Sequence, residues 1–188
     1  NHIPNIDKDC NGDCFGIAIV DPCGGCTGGD SGVELNQSLV IHKKKKYACG
    51  DLLFIMEIFS LNDPANECST PEIINNEEEL SKCISEYLKL GEPRWNVDRR
   101  LISYTLPEQK IEGPFPETAN YTTKLTYLDI SKNLFWGPMP NTFCNIHEEG
   151  TLRIAGNRFC PPYPTCLDDS PILIMDMEDM REVARCNK

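Results

Sequence analysis

Leu125-Thr-Tyr-Leu-Asp-Ile-Ser-Lys-Asn-Leu-Phe-Trp-Gly-Pro-Met-Pro140 decides how this chain is read, because its pattern recurs on both sides of it. Its closing hexapeptide, Phe135-Trp-Gly-Pro-Met-Pro140, is preceded 24 residues earlier by Ile111-Glu-Gly-Pro-Phe-Pro116 and followed 24 residues later by Phe159-Cys-Pro-Pro-Tyr-Pro164. The apolar positions keep the same period: Tyr104 and Leu106, then Leu128 and Ile130, then Leu152 and Ile154. Gln109, Asn133 and Asn157 keep it too. A constant period of this length marks a stack of like units, each too small to bury its own apolar face, so Leu101 to Cys166 is expected to form a short solenoid.

The same sixteen residues resemble one unit of a plant-type leucine-rich repeat, whose consensus reads LxxLxLSxNxLxGxIP. The resemblance covers about a third of the chain. The outer copies depart from it: Pro107-Glu108-Gln109 replaces Ser-x-Asn in the first, and Glu149 and Pro161 stand where Leu and Gly belong in the third. Such departures suit end units, which face something other than another repeat.

The resemblance implies an α/β fold of about three 24-residue repeats. In that family the residues between the buried strand positions line a concave binding face, which here would comprise Ser103, Thr105, Tyr127, Asp129, Ser131, Thr151, Arg153 and Ala155. The family's asparagine ladder carries over to Asn133 and Asn157, with Gln109 a weaker third. The helical region ending at Trp95 is similar to the family's N-terminal cap, and Cys144, Cys160 and Cys166 resemble a disulfide-bonded C-terminal cap. Three strands at ~4.8 Å spacing span only roughly 10 Å. A specific interface normally buries about 800 Å2 per partner, so the concave face is small.

Composition bounds the remainder. The 188 residues suffice for a sizeable core. With 18 basic against 29 acidic residues the net charge is -11, which disfavours nucleic acid and anionic membranes as partners. No apolar run approaches the roughly 20 residues of a membrane span. Eleven cysteines imply an oxidising compartment, so the protein is expected to be extracellular, either secreted or at the cell surface. The odd count leaves one thiol free or bridged to another chain, and the start at Asn1-His2 fits a processed end or a fragment.

Four segments follow: a Cys/Gly/Asp-rich module over 1–34, a strand and two-helix cap over 35–98, the repeats over 99–166, and a C-terminal cap or arm over 167–188. In the first, Asp7, Asp9, Asn11 and Asp13 alternate around Gly12, the arrangement by which a tight loop aims several oxygens at one Ca2+. This resembles the aspartate-rich calcium repeats of thrombospondin type 3, and the resemblance implies calcium binding. It departs from an EF-hand because Ala18 stands where a bidentate Glu is needed. Cys10, Cys14, Cys23 and Cys26 are expected to form two bridges among themselves, with zinc as the competing reading. Gly29-Asp-Ser-Gly32 imitates a serine-protease motif but has only His2 before it and no room for that fold.

Val33 to Ile41 reads as a strand or extended arm. Lys43 to Lys46 reads as a solvated loop, the alternative being contact with an acidic partner or a polyanionic glycan. Asp51 is expected to cap a buried helix over Leu52–Leu61, and Asn76 an amphipathic one over Glu77–Leu90. Cys49 lies just before the first helix. Cys68 and Cys83 are expected to bridge, and Ser170 to Cys186 to form a sealing helix or an arm to a neighbour. Asn36-Gln-Ser38 and Asn120-Tyr-Thr122 are glycosylation sequons.

His2, His42 and His147 have no metal-pair spacing, and no nucleophile-base set emerges, so no enzyme is expected. The cystine-rich ends around a short repeat core favour a self-assembling extracellular subunit of a filament, matrix or surface layer. The alternative is a recognition module of secreted or receptor type that binds a protein or glycan through the concave face.

Overall fold

A computed structural model describes residues 8–34, 36–69 and 77–167, with the backbone alone for residues 77 and 147–149. Among the described residues the fold is mixed α/β with no closed barrel. Strands β1 (Ile19–Val20) and β2 (Cys26–Thr27) form a small antiparallel pair, and β3 (Leu39–His42) and β4 (Lys45–Ala48) a hairpin. Helices α1 (Cys49–Asn62) and α2 (Glu77–Tyr87) follow, and then β5 (Arg94–Trp95), β6 (Leu101–Thr105) and β7 (Glu112–Pro114). The chain continues through β8 (Tyr127–Asp129), β9 (Leu134–Pro138), α3 (Thr142–Glu149), β10 (Thr151–Arg153) and β11 (Arg158–Cys160).

The 24-residue period becomes two parallel sheets. One has the order β10-β8-β6 with β5 antiparallel on its outer edge, and the other the order β11-β9-β7. Register places Tyr104, Leu128 and Leu152 in one row, all buried, because alternate residues of a strand share a face. Leu106, Ile130 and Ile154, and then Ile111, Phe135 and Phe159, continue the same core. Asn133 closes the turn between its two strands. Its Oδ1 accepts from the amides of Gln109 (3.0 Å) and Ile111 (3.1 Å), and its Nδ2 donates to the carbonyls of Leu106 (2.8 Å) and Ile130 (3.0 Å). Asn157 does the same for Phe135, Ile130 and Ile154. Gln109 does not extend the ladder, since its Nε2 turns back to the carbonyl of Pro107.

β5 covers the first edge of the sheet, and the Trp95 ring packs edge-on against Tyr47 at 5.0 Å. An edge strand left bare would template pairing with another chain. Helix α1 has apolar residues on almost every face and is buried accordingly, with Phe54, Ile55 and Ile58 inaccessible.

Several expectations are corrected. Helix α1 begins at Cys49 and not Leu52, its N-cap is Ala48, and Asp51 makes no cap because its carboxylate turns into the protein. Helix α2 stops at Tyr87, and Asn76 lies outside the described residues. The strand foreseen over Val33–Ile41 starts at Leu39 and runs on to His42, and the lysine run supplies both a turn and the first half of β4. Cys10 pairs with Cys26, but Cys23 pairs with Cys49, so the first module is bolted to the start of α1 and not closed on itself. Sulfurs consumed in these bonds are no zinc ligands. Cys14 is exposed, Cys68 pairs with Cys83, Cys144 pairs with Cys166, and Cys160 is also disulfide-bonded. Asp7, Cys186 and the Ser170–Cys186 helix lie outside the described residues.

Candidate functional site

Parallel strands with no stagger stack like positions, so the outward residues of β6, β8 and β10 form two rows. Ser103, Tyr127 and Thr151 make one, and Thr105, Asp129 and Arg153 the other. Ser131 and Ala155 follow where the strands end, both half-buried. Tyr127 and the exposed Arg153 are the only large side chains of these two rows. Asp129 departs from the expected open position and is only 6% exposed. Its Oδ1 accepts from the amide (3.1 Å) and hydroxyl (2.6 Å) of Ser131, while its Oδ2 stands 3.8 Å from the Arg153 guanidinium. Asp129 is therefore fixed by Ser131 through one oxygen, and Arg153 stands exposed on the face at the limit of ion-pair distance from the other.

The N-terminal module is organised differently. Asp9 Oδ1 accepts from the amides of Asn11 and Asp13, both at 3.0 Å, and its Oδ2 accepts from Ala18 at 2.9 Å. Asp13 accepts the Asn11 amide at 2.7 Å. Three backbone N–H donors converge on the Asp9 carboxylate, so Asp9 serves as the keystone of the loop. The Ala18 amide, with those of Asp13, Asn11 and Gly12, outweighs partial desolvation and holds the Asp9 carboxyl below its ordinary value of 3.8.

This depression fixes a sign. The contribution of Asp9 to stability is complete above about pH 3.8 and is lost as pH falls through the lower folded value. The Ala18 and Asp13 amide resonances are expected to move together under strong acid, and Asp9→Ala to show the acid spectrum already at neutral pH. Unchanged shifts would dismiss the keystone role.

Among the described residues, one group has metal-ligand proximity, with atoms of Asp21, Cys23 and Cys49 within 4.8 Å of one another. Its two sulfurs are bonded to each other, and the Asp21 carboxylate accepts from the amides of Cys23 (3.1 Å), Gly25 (3.0 Å) and Ser38 (3.0 Å). That group is structural.

The two sequons differ. Asn36 is buried, its backbone N–H donates to Thr27 Oγ1 and its backbone carbonyl accepts from the Gly50 N–H, and its burial disfavours a glycan on it in this fold. Asn120 is exposed, and its Oδ1 accepts from the Thr142 hydroxyl.

Arg100 is the residue that sequence reading passed over. It is 7% exposed and ties three segments: Nε donates to Asp51 (3.0 Å), Nη1 to Glu34 (2.6 Å), and Nη2 to the Tyr121 carbonyl (3.2 Å) and Thr123 hydroxyl (3.1 Å). Burial pushes the Asp51 carboxyl up, against the pull of Arg100 and of the Leu101 amide. Burial alone would lower Arg100, and Asp51 and Glu34 outweigh it. Nothing local to Arg99-Arg100 distinguishes the buried arginine from its exposed neighbour.

No family model matches the chain. Over 87 residues, 46% of this chain, it is 30% identical to a probable leucine-rich-repeat receptor-like serine/threonine-protein kinase of Arabidopsis thaliana. The chain spans 14% of the length of that relative. Among solved structures it is similar to the BIR3–SERK2 complex from Arabidopsis thaliana, at 26% identity over 43% of each chain with a TM-score of 0.36. The chain is thus a disulfide-rich α/β protein with partial, weak similarity to plant receptors of leucine-rich-repeat type. Among the described residues no helix is long and apolar enough to cross a membrane.

Proposed function

We propose that this chain is a non-catalytic recognition module of the leucine-rich-repeat class that works outside the cell and binds a protein partner through the face of β6, β8 and β10. The observation that carries this reading is the pair of outward rows in unstaggered register, with Tyr127 central in one and Arg153 exposed at the end of the other. Tyrosine and arginine are the residue types that dominate binding energy in interfaces. The four described disulfides suit an oxidising location, and the 30% identity to a receptor-like kinase suits a binding role. The module of residues 8–34 is tied to the cap by Cys23–Cys49 and by the Glu34–Arg100 ion pair.

Self-association is a second reading, supported by a specific observation. Ile17, Val20, Leu39 and Ile41 are each at least half exposed on the N-terminal module and the outer side of β3, and exposed apolar clusters mark protein contacts.

One experiment separates the two. In a binding screen against extracellular proteins, Tyr127→Ala and Arg153→Glu are each expected to weaken a captured partner by about 30-fold, the scale of an interface hot spot, with melting temperature and sedimentation coefficient unchanged. Retention by both variants together with loss in Ile41→Asp would sink the proposal in favour of the apolar surface.

A further inference from the structure

The β3–β4 hairpin carries an unabsorbed feature. Its two-residue turn is Lys43-Lys44, and both residues hold left-handed backbone, with φ of 47° and 64°. A turn of this hand needs positive φ at both central positions, which Asn-Gly supplies at little strain and Lys-Lys does not. Strained backbone at a defined position points to a retained function.

Lys43 of that turn stands beside a cavity of about 380 Å3 between the hairpin and α2, lined also by Lys45 and Lys89. Among the described residues none of Lys43 to Lys46 is in an ion pair, although the chain carries a net charge of -11. Lys89 is partly neutralised by Glu86 at 2.6 Å.

Hydrogen bonds hold the polar wall in place. His42, 6% exposed, bonds through Nδ1 to Ser81 Oγ (3.0 Å) and through Nε2 to Ser85 Oγ (3.1 Å), and Lys43 Nζ donates to the same Ser85 Oγ at 2.9 Å. Burial, and then the Lys43 charge, lower the His42 pKa, so the imidazole is neutral at pH 7 and the lysines supply the positive charge. Tyr47 and Leu88 give the cavity an apolar wall.

We propose that this cavity binds an oxyanion ester carried on a sugar ring, with the ester between Lys43 and Lys45 and the ring against Tyr47 and Leu88. The volume exceeds that of a bare oxyanion and leaves space for one sugar. A long polyphosphate fits less well, because the positive charge is confined to the cavity rim of an acidic protein. Sulfate and phosphate esters share this chemistry, and the test separates them.

The intact protein is titrated calorimetrically with a sulfated disaccharide, its unsulfated counterpart, the phosphate ester of the same sugar, and a polyglutamate peptide. One or both esters are expected to bind at least about tenfold more tightly than the unsulfated sugar, the tighter naming the source. The double variant Lys43→Asn/Lys44→Gly is expected to lose at least about tenfold in that affinity while its melting temperature rises, because the turn is relieved as the charges go. Equal binding of the unsulfated sugar, unchanged affinity in the variant, or tighter binding of polyglutamate than of either ester would each overturn the proposal.

Discussion

Replacing Arg100 with alanine is expected to lower the unfolding free energy by about 3–5 kcal/mol, the scale for removing one partner of a buried ion pair. Asp51 is fully buried, and one of its oxygens already lacks a hydrogen-bond partner. Without the guanidinium, that carboxylate keeps only the Leu101 amide at 2.8 Å. Three joints loosen together, since Glu34 belongs to the N-terminal module, Asp51 to α1, and Tyr121 and Thr123 to the connection entering β8. Urea titration of Arg100→Ala measures the loss. The pair Arg100→Met with Asp51→Leu separates mechanisms, because removing both charges of a buried pair is often nearly neutral. If the double variant is as unstable as the single one, packing and not the uncompensated charge is the cause.

Phe115→Ala is expected to cost a similar amount, about 3–5 kcal/mol for deleting a buried phenylalanine. Phe115 sits at the hub of an aromatic cluster, with ring centroids 4.9 Å from Phe143, 5.5 Å from Phe135, 5.8 Å from Phe54 and 6.2 Å from Phe159. Its partners come from α1, β9, α3 and β11, so the cavity cannot close without moving several elements. Phe115→Leu, which keeps volume but removes the edge-to-face contacts, is expected to retain more than half of the lost stability. A double-mutant cycle with Phe143→Ala is expected to be non-additive by about 0.5–1.5 kcal/mol, the range for an aromatic pair. Additive losses would show that the two rings act as separate fillers.

The legible parts of this protein were local. The 24-residue spacing alone places Tyr104, Leu128 and Leu152 in register, because each unit repeats the same short-range problem of turning and burying one face. The asparagine positions were legible for the same reason: Asn133 and Asn157 serve backbone groups at fixed offsets within a unit and in the adjacent one. Helix α2 was legible from its acidic first turn and one apolar face, apart from its end, since the chain leaves the helix after Tyr87 through i→i+3 turns that precede Gly91.

Misreadings arose where a short-range rule met a long-range partner. Asp51 has the position of an N-cap by spacing, yet it sits within the first turn of a helix that starts at Cys49 and is claimed by Arg100, 49 residues away. Cys23 lies three residues from Cys26 but bonds to Cys49, because Asp21 and Gly25 bring that turn against Ser38. Asn36 satisfies a sequon, but its burial follows from Gly50. An added Cβ there would stand 2.7 Å from the Asn36 carbonyl and 2.6 Å from the Tyr121 side chain, so the chains approach closely only because position 50 is glycine. The lysine run shows the same limit, since its charge was evident but its cavity needs α2 behind it.

The sequence by itself determined the repeat period, the inward rows, the asparagine turns and the cystine-rich character, since all depend on periodicity or composition, which a linear string carries in full. Tertiary structure alone decided which cysteines meet, which arginine is buried, that Asp129 is buried against Ser131 and not open, and that Lys43 and Lys45 face a cavity. Each of these depends on groups far apart in the chain. Their pairing is chosen by how the elements pack, and no local rule encodes it.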